Sequence, residues 1–363
     1  MGKIVVFGAT GFTGRLTVAA LVRRGIRPII AGRSRSKLRA LADREGGLTT
    51  RVADVEDPAS LRRLLARGDV LITTVGPFSR LGEPVVAAAI EAGAHYLDPT
   101  GEPAFIRRVF QDHDGPARAR GVTLLTAFGY DYVPGNLAAA IALEEVGERA
   151  ERVDVGYFVF GEGGFAMSEG TAASSALAML EPGVVFQGGV LREQFGGRRL
   201  RRFPVGPRRR PAISVPGSEH IALPRSYPWL REVNVYIGWF GAASYVMAPL
   251  SRVQAALFRI PQVKRLAAAR LQQTSDGRGP GVAAREASGS HIVAQALAGR
   301  EVLSTVQLVG ANAYDYTAEL LAWGAESLSR GACARVGALG PVEAFGLPAL
   351  LDGSERAGLR VAL

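Results

Sequence analysis

The segment VVFGATGFTGRL, residues 5 to 16, sets three glycines three apart, Gly8, Gly11 and Gly14, between an apolar run and an amphipathic one. That order narrows the fold more than any other feature of the chain. A glycine-rich turn that ends a strand and opens a helix gathers backbone N–H groups at the helix N-terminus, where the macrodipole favours an anion. With KIVVF before it and RLTVAALVRRG behind it, the turn predicts a diphosphate cradle in the first βα unit of a dinucleotide-binding sheet. The cradle is Gly8, Ala9, Thr10, Gly11, Phe12, Thr13 and Gly14. The competing reading is a tight turn of structural purpose alone.

The chain beyond the turn supports a sheet. From Lys3 to Thr126, apolar runs (KIVVFG, RPIIAG, TTRVAD, DVLITTVG, AHYLD, GVTLLTA) alternate with helix-like stretches beginning near Thr13, Ser36, Pro58, Leu81 and Pro103. Continuous apolar strands alternating with helices imply a parallel sheet covered on both faces. We therefore expect an α/β fold with an N-terminal Rossmann-type, doubly wound parallel sheet over residues 1–130. Ligands of such sheets bind beyond the carboxyl ends of the strands, which makes Gly8, Gly32, Asp54, Gly76 and Asp98 neighbours of one crevice.

The end of the second strand selects the cofactor. A carboxylate there would bind the free ribose hydroxyls of NAD, and AGRSRSKL has none. Arg33, Ser34, Arg35 and Lys37 could instead surround a 2′-phosphate, so NADP(H) is expected. For Arg35 and Lys37 a solvated helix face is an equal alternative. Asp54 reads as an adenine neighbour or as the cap of the next helix. No lysine has a tyrosine four positions before it, since position 33 is Arg and position 260 is Ile, so the catalytic pair of short-chain dehydrogenases is missing. His95, His113, His220 and His291 form no metal-ligand spacing, and no metal site is expected.

After FGYDYVPGN, Phe128 to Asn136, the rhythm changes. Strand-like segments succeed one another (RVDVGYFVFG, a basic hairpin near 184–203, VNVYIGWFG, EVLSTVQLVG), with helices expected over Gly170–Leu180, Pro249–Leu271, Gly281–Leu297 and Tyr316–Arg330. At 363 residues the chain has room for two domains. We assign 131–340 to an α+β substrate or oligomerisation domain, compatible with a homodimer, and 341–363 to a C-terminal helix and tail that pack back on the first domain. Thr274 to Val282, TSDGRGPGV, reads as a mobile loop.

The net charge of +10 would suggest nucleic acid or an anionic surface. Forty arginines against three lysines point rather to a coding bias, and no nucleic-acid recognition motif accompanies the charge. The dense cluster RRLRRFPVGPRRRP, Arg198 to Pro211, is either a solvated hairpin rim or a contact for lipid or another anionic partner. Val233 to Ser251 is the longest uncharged run at nineteen residues, but Asn234, Ser244 and Pro249 interrupt it and its start alternates like a strand. Leu250, Val253, Leu257 and Ile260 would share one helical face apart from Arg252 and Arg259; a core-packed helix is the favoured reading, and weak peripheral membrane contact is the alternative. One cysteine, Cys333, and no basic-then-apolar leader before Lys3 lead us to expect a cytoplasmic protein.

GATGFTG, AGRSRSKL, VGPFSRLGEPVVAAAIEAGAHYLDPTGEPAFI and FGYDYVPGN together resemble the saccharopine dehydrogenase-like oxidoreductases, and within them the trans-acting enoyl reductases of lipid and polyketide assembly. The likeness is strong over the nucleotide-binding half and weaker through SEGTAASSALAML and ALGPVEAFGLPALL. It implies that the Gly8–Gly14 turn holds pyrophosphate, that Arg33 and Ser34 hold the 2′-phosphate, and that Gly76 and Pro77 run beside the ribose and nicotinamide. Tyr96, Asp98, Tyr130 and Asp131 would border the substrate, with Asp131, Tyr132 and Tyr96 as candidate catalytic groups. Helix caps for Asp98 and Asp131 and core packing for the tyrosines are the plain alternatives. FVFGEGGFAM and YIGWFGAASYVMAPL suit an apolar or acyl substrate better than an amino diacid. The resulting reading is NADPH-dependent reduction of an activated C=C bond. A C=N or C=O reductase of a modified amino acid and a non-catalytic NADP sensor are its rivals.

Overall fold

The computed structural model describes residues 2–161, 168–169, 171, 181–247, 251 and 278–362. Nearly all of the expected helices Gly170–Leu180 and Pro249–Leu271, the first four residues of TSDGRGPGV, and the face of Leu250, Val253, Leu257 and Ile260 lie outside the described residues.

The first sheet is parallel throughout. Its strands are β1 (Ile4–Phe7), β2 (Ile29–Gly32), β3 (Thr50–Val52), β4 (Val70–Thr73), β5 (His95–Leu97) and β6 (Thr123–Leu125). Their spatial order is 3-2-1-4-5-6, with a late strand, β15 (Gly337–Ala338), added beside β6. The order reverses between β1 and β4, which opens a crevice at their carboxyl ends. Successive side chains of a strand point to opposite faces. Ile4 and Val6 face one core with Val70, Ile72, Leu97 and Leu125, while Val5 and Phe7 face another with Leu71, Tyr96 and Leu124.

Helices α1 (Phe12–Arg23) and α2 (Arg35–Arg44) cover the first face; α3 (Pro58–Leu64), α4 (Phe78–Ala92), α5 (Pro103–Asp112) and α6 (Asp114–Arg120) cover the second. The layer with α1 is completed from far along the chain, by the helix Ala313–Ser329. It buries Leu320, Leu321 and Ala325 completely and pairs Glu319 and Glu326 with Arg24 at 3.4 and 3.2 Å.

A long buried helix, α7 (Val133–Val146), then leads into the second sheet. Its strands in spatial order are β10 (Leu200–Val205), β11 (Arg208–Ser214), β12 (Glu232–Ile237), β7 (Arg152–Gly161), β13 (Ser288–Ala298), β14 (Glu301–Gly310) and β16 (Leu359–Val361), with β8 (Gly183–Gln187) and β9 (Val190–Gln194) branching from β12. Only the β7–β12 pair is parallel among the described ladders of this sheet. Val153, Val155, Val233, Val235, Ile292 and Ala294 pack against α7 in the same cluster that holds Ile4 and Leu320. One core thus runs through both sheets.

Three expectations are corrected. The run Gly281–Leu297, read as a helix, is a short helix Val282–Glu286 followed by β13, a central strand whose burial on both faces erases the alternation that marks a strand. The basic hairpin near 184–203 is two hairpins, β8–β9 and β10–β11. The 341–363 segment returns to the first domain only in part: Phe345 meets Phe128 at 5.7 Å, but the tail ends as β16 on β14 of the second sheet, and Ala313–Ser329 and β15 also return to the first sheet. The uncharged run from Val233 begins as β12, and no described helix is long and apolar enough to cross a membrane.

Leu320→Ala removes a fully buried side chain from the seam between the sheets and should cost about 2–5 kcal/mol of unfolding free energy. Urea titration of the two proteins measures it; a loss under about 1 kcal/mol would mean that the helix is not tightly seated.

Candidate active site

The glycine turn is built by close approach. Gly8 has a positive φ of 85°, and a Cβ there would lie 2.8 Å from the Thr74 Oγ1. The N–H groups of Gly8 and Ala9 both donate to the Ala31 carbonyl, at 3.0 and 3.2 Å, hanging the turn from β2. A Cβ at Gly14 would strike the Gly8 carbonyl oxygen and Ala9, so α1 presses directly onto the turn. α1 has no side-chain cap and no acid in its first turn. Its first N–H groups and dipole are therefore left for an anion. Thr10, Gly11, Phe12 and Thr13 are partly exposed along this rim, while the Ala9 side chain is buried and offers its backbone.

Arg33 follows β2, is exposed, and makes no ion pair or side-chain hydrogen bond among the described residues. Ser34 caps α2, its Oγ accepting the Lys37 N–H at 3.4 Å, and Arg35 and Lys37 are exposed beside it. A neutral cap ringed by cations fits a phosphate. The residues present thus suit NADP: the glycine turn for the diphosphate, Arg33 and the start of α2 for the 2′-phosphate. Asp54 is partly exposed at the end of β3 and accepts the Glu56 N–H at 3.1 Å; the cap of α3 is Asp57, which accepts the Ala59 N–H at 3.0 Å. Gly76 is exposed after β4, and the Gly76–Pro77 peptide is cis.

The next loops are fastened by carboxylates turned inward. Glu102 is buried, and its two oxygens accept the N–H groups of Phe78 and Ser79 at 2.8 Å each, filling the N-terminus of α4. Asp98 is completely buried; its Oδ1 accepts the N–H groups of Thr100 and Ala127 at 2.8 and 3.2 Å, tying the loop after β5 to that after β6. Burial pushes Asp98 up to about 6, against the pull of those N–H donors toward the charged form. Tyr96 is also completely buried, which holds its phenol well above the ordinary range. Tyr130 is buried, pushed above the ordinary phenol range, and donates to the Phe158 carbonyl at 3.4 Å. All three were expected to border the substrate; here Tyr96 and Tyr130 pack inward and Asp98 serves as a staple.

Asp131 and Tyr132 stand apart from these. Asp131 is partly exposed and its carboxylate lies over Gly101, where a Cβ would be 2.7 Å from Oδ2; burial pushes it up to about 6. Tyr132 initiates α7 with a φ of 91°, outside the region that side chains other than glycine favour, and its hydroxyl donates to the Pro216 carbonyl at 3.1 Å.

Beside them is a pair that sequence reasoning missed. Glu219 is completely buried, and its Oε1 accepts the Tyr157 hydroxyl at 2.6 Å; that hydroxyl accepts the Gly135 N–H, from the first turn of α7, at 2.9 Å. Its Oε2 has no hydrogen-bond partner. Glycine at 135 and 217 makes the space, since a Cβ at either position would strike this carboxyl group. Burial, opposed by the Tyr157 hydrogen bond and assisted by the charge of Asp131, pushes Glu219 up to about 8. The available signals were Gly135 in the first turn of a helix and Gly217 before Ser218–Glu219, but no spacing links them.

The second half of the chain also reaches the cradle. Phe12 meets Tyr314 edge-on at 5.1 Å, lies under the Arg285 guanidinium at 5.8 Å, and touches Gly279. The four histidines serve separate contacts, His95 with Thr123, His113 with Glu83, His220 with Phe186 and His291 with Gln307.

Comparison with known proteins agrees with this geometry. Residues 4–125 match the family described as the saccharopine dehydrogenase NADP binding domain. A trans-acting enoyl reductase of Mycobacterium ulcerans is 41% identical over 141 residues, 37% of this chain and 34% of that protein. A lipid droplet localized protein of Caenorhabditis elegans is 38% identical over 146 residues with the same two shares. The matched region is thus about a third of the length of these relatives. The apo saccharopine dehydrogenase (L-Glu forming) of Saccharomyces cerevisiae shares the fold over 100% of this chain and 99% of its own, with a TM-score of 0.63 at 12% identity. Residues 4–125 are therefore an NADP-binding domain of the saccharopine dehydrogenase type, and the expected cofactor is borne out.

Two measurements test these roles. Arg33→Asp removes a charge-assisted contact of about 1.5–3 kcal/mol and should weaken NADPH binding by about one to two decades while sparing NADH. Equal dissociation constants for the two dinucleotides in the unaltered protein would refute the role of Arg33. Glu219, raised from 4.5 to about 8, binds its proton more tightly folded than unfolded, so its contribution to stability is lost as pH rises toward 8. Asp98 and Asp131 act with the same sign but near 6, so the upper part of the window reports Glu219. Urea midpoints across that window should fall more steeply for the unaltered protein than for Glu219→Gln; parallel curves would contradict a neutral buried Glu219.

Proposed function

We propose that the chain is an NADPH-dependent oxidoreductase that reduces an activated carbon–carbon double bond of a lipid- or polyketide-like substrate. The observation that carries the proposal is the position of one partly exposed acid, Asp131, at the carboxyl edge of the NADP-binding sheet, beside a buried acid, Glu219. The names of the trans-acting enoyl reductases that match the nucleotide-binding half support the choice of bond. Bound NADPH supplies a hydride.

The chain's own residues do the rest. The Gly8–Gly14 turn and Arg33 would fix the cofactor, and Glu102 and Asp98 keep the two loops beside it from shifting. Asp131, partly exposed after the last helix-linked strand of the sheet, is the group suited to protonate the substrate carbon that becomes carbanionic. A carboxyl near 6 is protonated in a useful fraction close to neutrality, which an ordinary aspartate is not. Glu219 keeps its proton at that pH and adds no second negative charge beside Asp131.

Asp131→Asn should lower turnover by about 10²–10⁴ with NADPH affinity nearly unchanged. Turnover in the unaltered enzyme should decline as pH rises through about 6, the sign of an acid that acts protonated. Deuterated NADPH should label the β-carbon of an enoyl thioester; label on a carbonyl or imine carbon would overturn the reaction class, and unaltered turnover in the variant would remove Asp131 from it.

A further inference from the structure

The arginine cluster divides cleanly in the folded chain. Arg199 is tied to Glu232 and Asn234 at 2.7 and 2.8 Å, and Arg201 to the buried Asp154 and to Gln295. Arg202, Arg208, Arg209 and Arg210 are exposed, and none forms an ion pair with a carboxylate among the described residues. They lie on the β10–β11 hairpin, whose strand β10 is an edge of the second sheet among the described residues and whose tip is Gly206–Pro207.

The register sets Pro204 opposite Arg209 and Arg202 opposite Pro211 on one face, and Phe203 opposite Arg210 and Val205 opposite Arg208 on the other. The guanidinium groups of Arg202 and Arg209 each donate to the other residue's carbonyl at 3.2 Å, which holds two like charges side by side. Like charges in such proximity destabilise a strand pair. Arg210 stacks over the Phe160 ring at 4.5 Å, but no carboxylate among the described residues balances Arg202, Arg208 and Arg209, and a surface of opposite charge would.

β11 packs against the short turn Gly241–Ala243, and from there the chain runs to Tyr245 and Val246, 49% and 61% exposed. An exposed aliphatic side chain and a tyrosine beside uncompensated arginines match the interface of a bilayer, where the rings sit at headgroup depth and the cations meet anionic lipids. A nucleic acid would use several stacked aromatics, and Tyr245 is the one exposed aromatic side chain of this face among the described residues.

We propose that the tip of the β10–β11 hairpin, together with Tyr245 and Val246, is a docking surface for an anionic lipid bilayer. Charge on both faces of the ribbon suits a tip-first approach. The surface is independent of the assignment of the reaction.

The test is co-flotation of the full chain with phosphatidylcholine vesicles, with and without about 30% phosphatidylglycerol, at low and high salt. Binding is expected to the anionic vesicles and to fall with salt. The triple variant Arg202→Ser, Arg208→Ser, Arg209→Ser should weaken it by roughly a hundredfold, with an unchanged melting temperature. Val246→Asp should weaken binding several-fold while leaving its salt dependence intact. Absence of binding to anionic vesicles, or undiminished binding by the triple variant, would overturn the proposal. So would an unaffected Val246→Asp variant together with equal competition by a single-stranded RNA, since that pattern marks a general polyanion site.

Discussion

The carboxylate of Glu102 fastens the start of α4, and the rest of the candidate site depends on what that leaves open. Every helix that starts at the carboxyl edge of a parallel sheet offers unpaired N–H groups and a positive dipole end. In this chain the start of α4 is filled by Glu102 and that of α3 by Asp57. α1 has no side-chain cap, and α2 has a neutral one from Ser34. The protein's own carboxylates thus silence the starts of α3 and α4; α5 and α7 also lack a side-chain cap and an acid in the first turn, but α1 and α2 are the two that a dinucleotide phosphate would reach. Asp98 extends the same device by joining the loops after β5 and β6, so that Asp131 projects from a fixed base.

Most of the first sheet was legible because its signals are local. Apolar runs with glycine or an acid at their ends gave all six strands, and the missing acid after Gly32 gave the choice of cofactor, now matched by the family of residues 4–125. The structure then differs where the deciding contacts are distant. Nothing in AYDYTAELLAWGAESLS says that this helix seals the face of a sheet formed by the opening part of the chain; it reads as any half-apolar helix. β13 was misread because a strand buried on both sides loses its period.

The candidate site shows the same divide. Asp131 and Tyr132 could be singled out because they sit in a loop with glycine and proline punctuation; the structure leaves Asp131 partly exposed and buries Tyr132. Glu219 and Tyr157 were not, because 62 residues separate them and each alone is an ordinary residue of a helix and a strand. Their meaning arises when Gly135 and Gly217 make room for a carboxyl group in the packed interior. Conversely, Tyr96 and Tyr130 looked reactive in sequence because tyrosines near a crevice are suggestive. Packing decided against them, since both side chains are buried in the interior.

The late return of Ala313–Ser329 and β15 has a consequence for biogenesis. While the ribosome is still making the second sheet, all of β1 to β6 has been made, but one helix of the covering layer and the last strand of that sheet have not. Ile4, Val6, Ile72 and Leu97 then have a bare apolar flank. The nascent chain must hold that flank soluble until Ala313–Ser329 emerges, a period in which such surface is prone to aggregate and is a natural substrate for chaperones. The cofactor module of this protein is first in sequence and among the last parts to be completed.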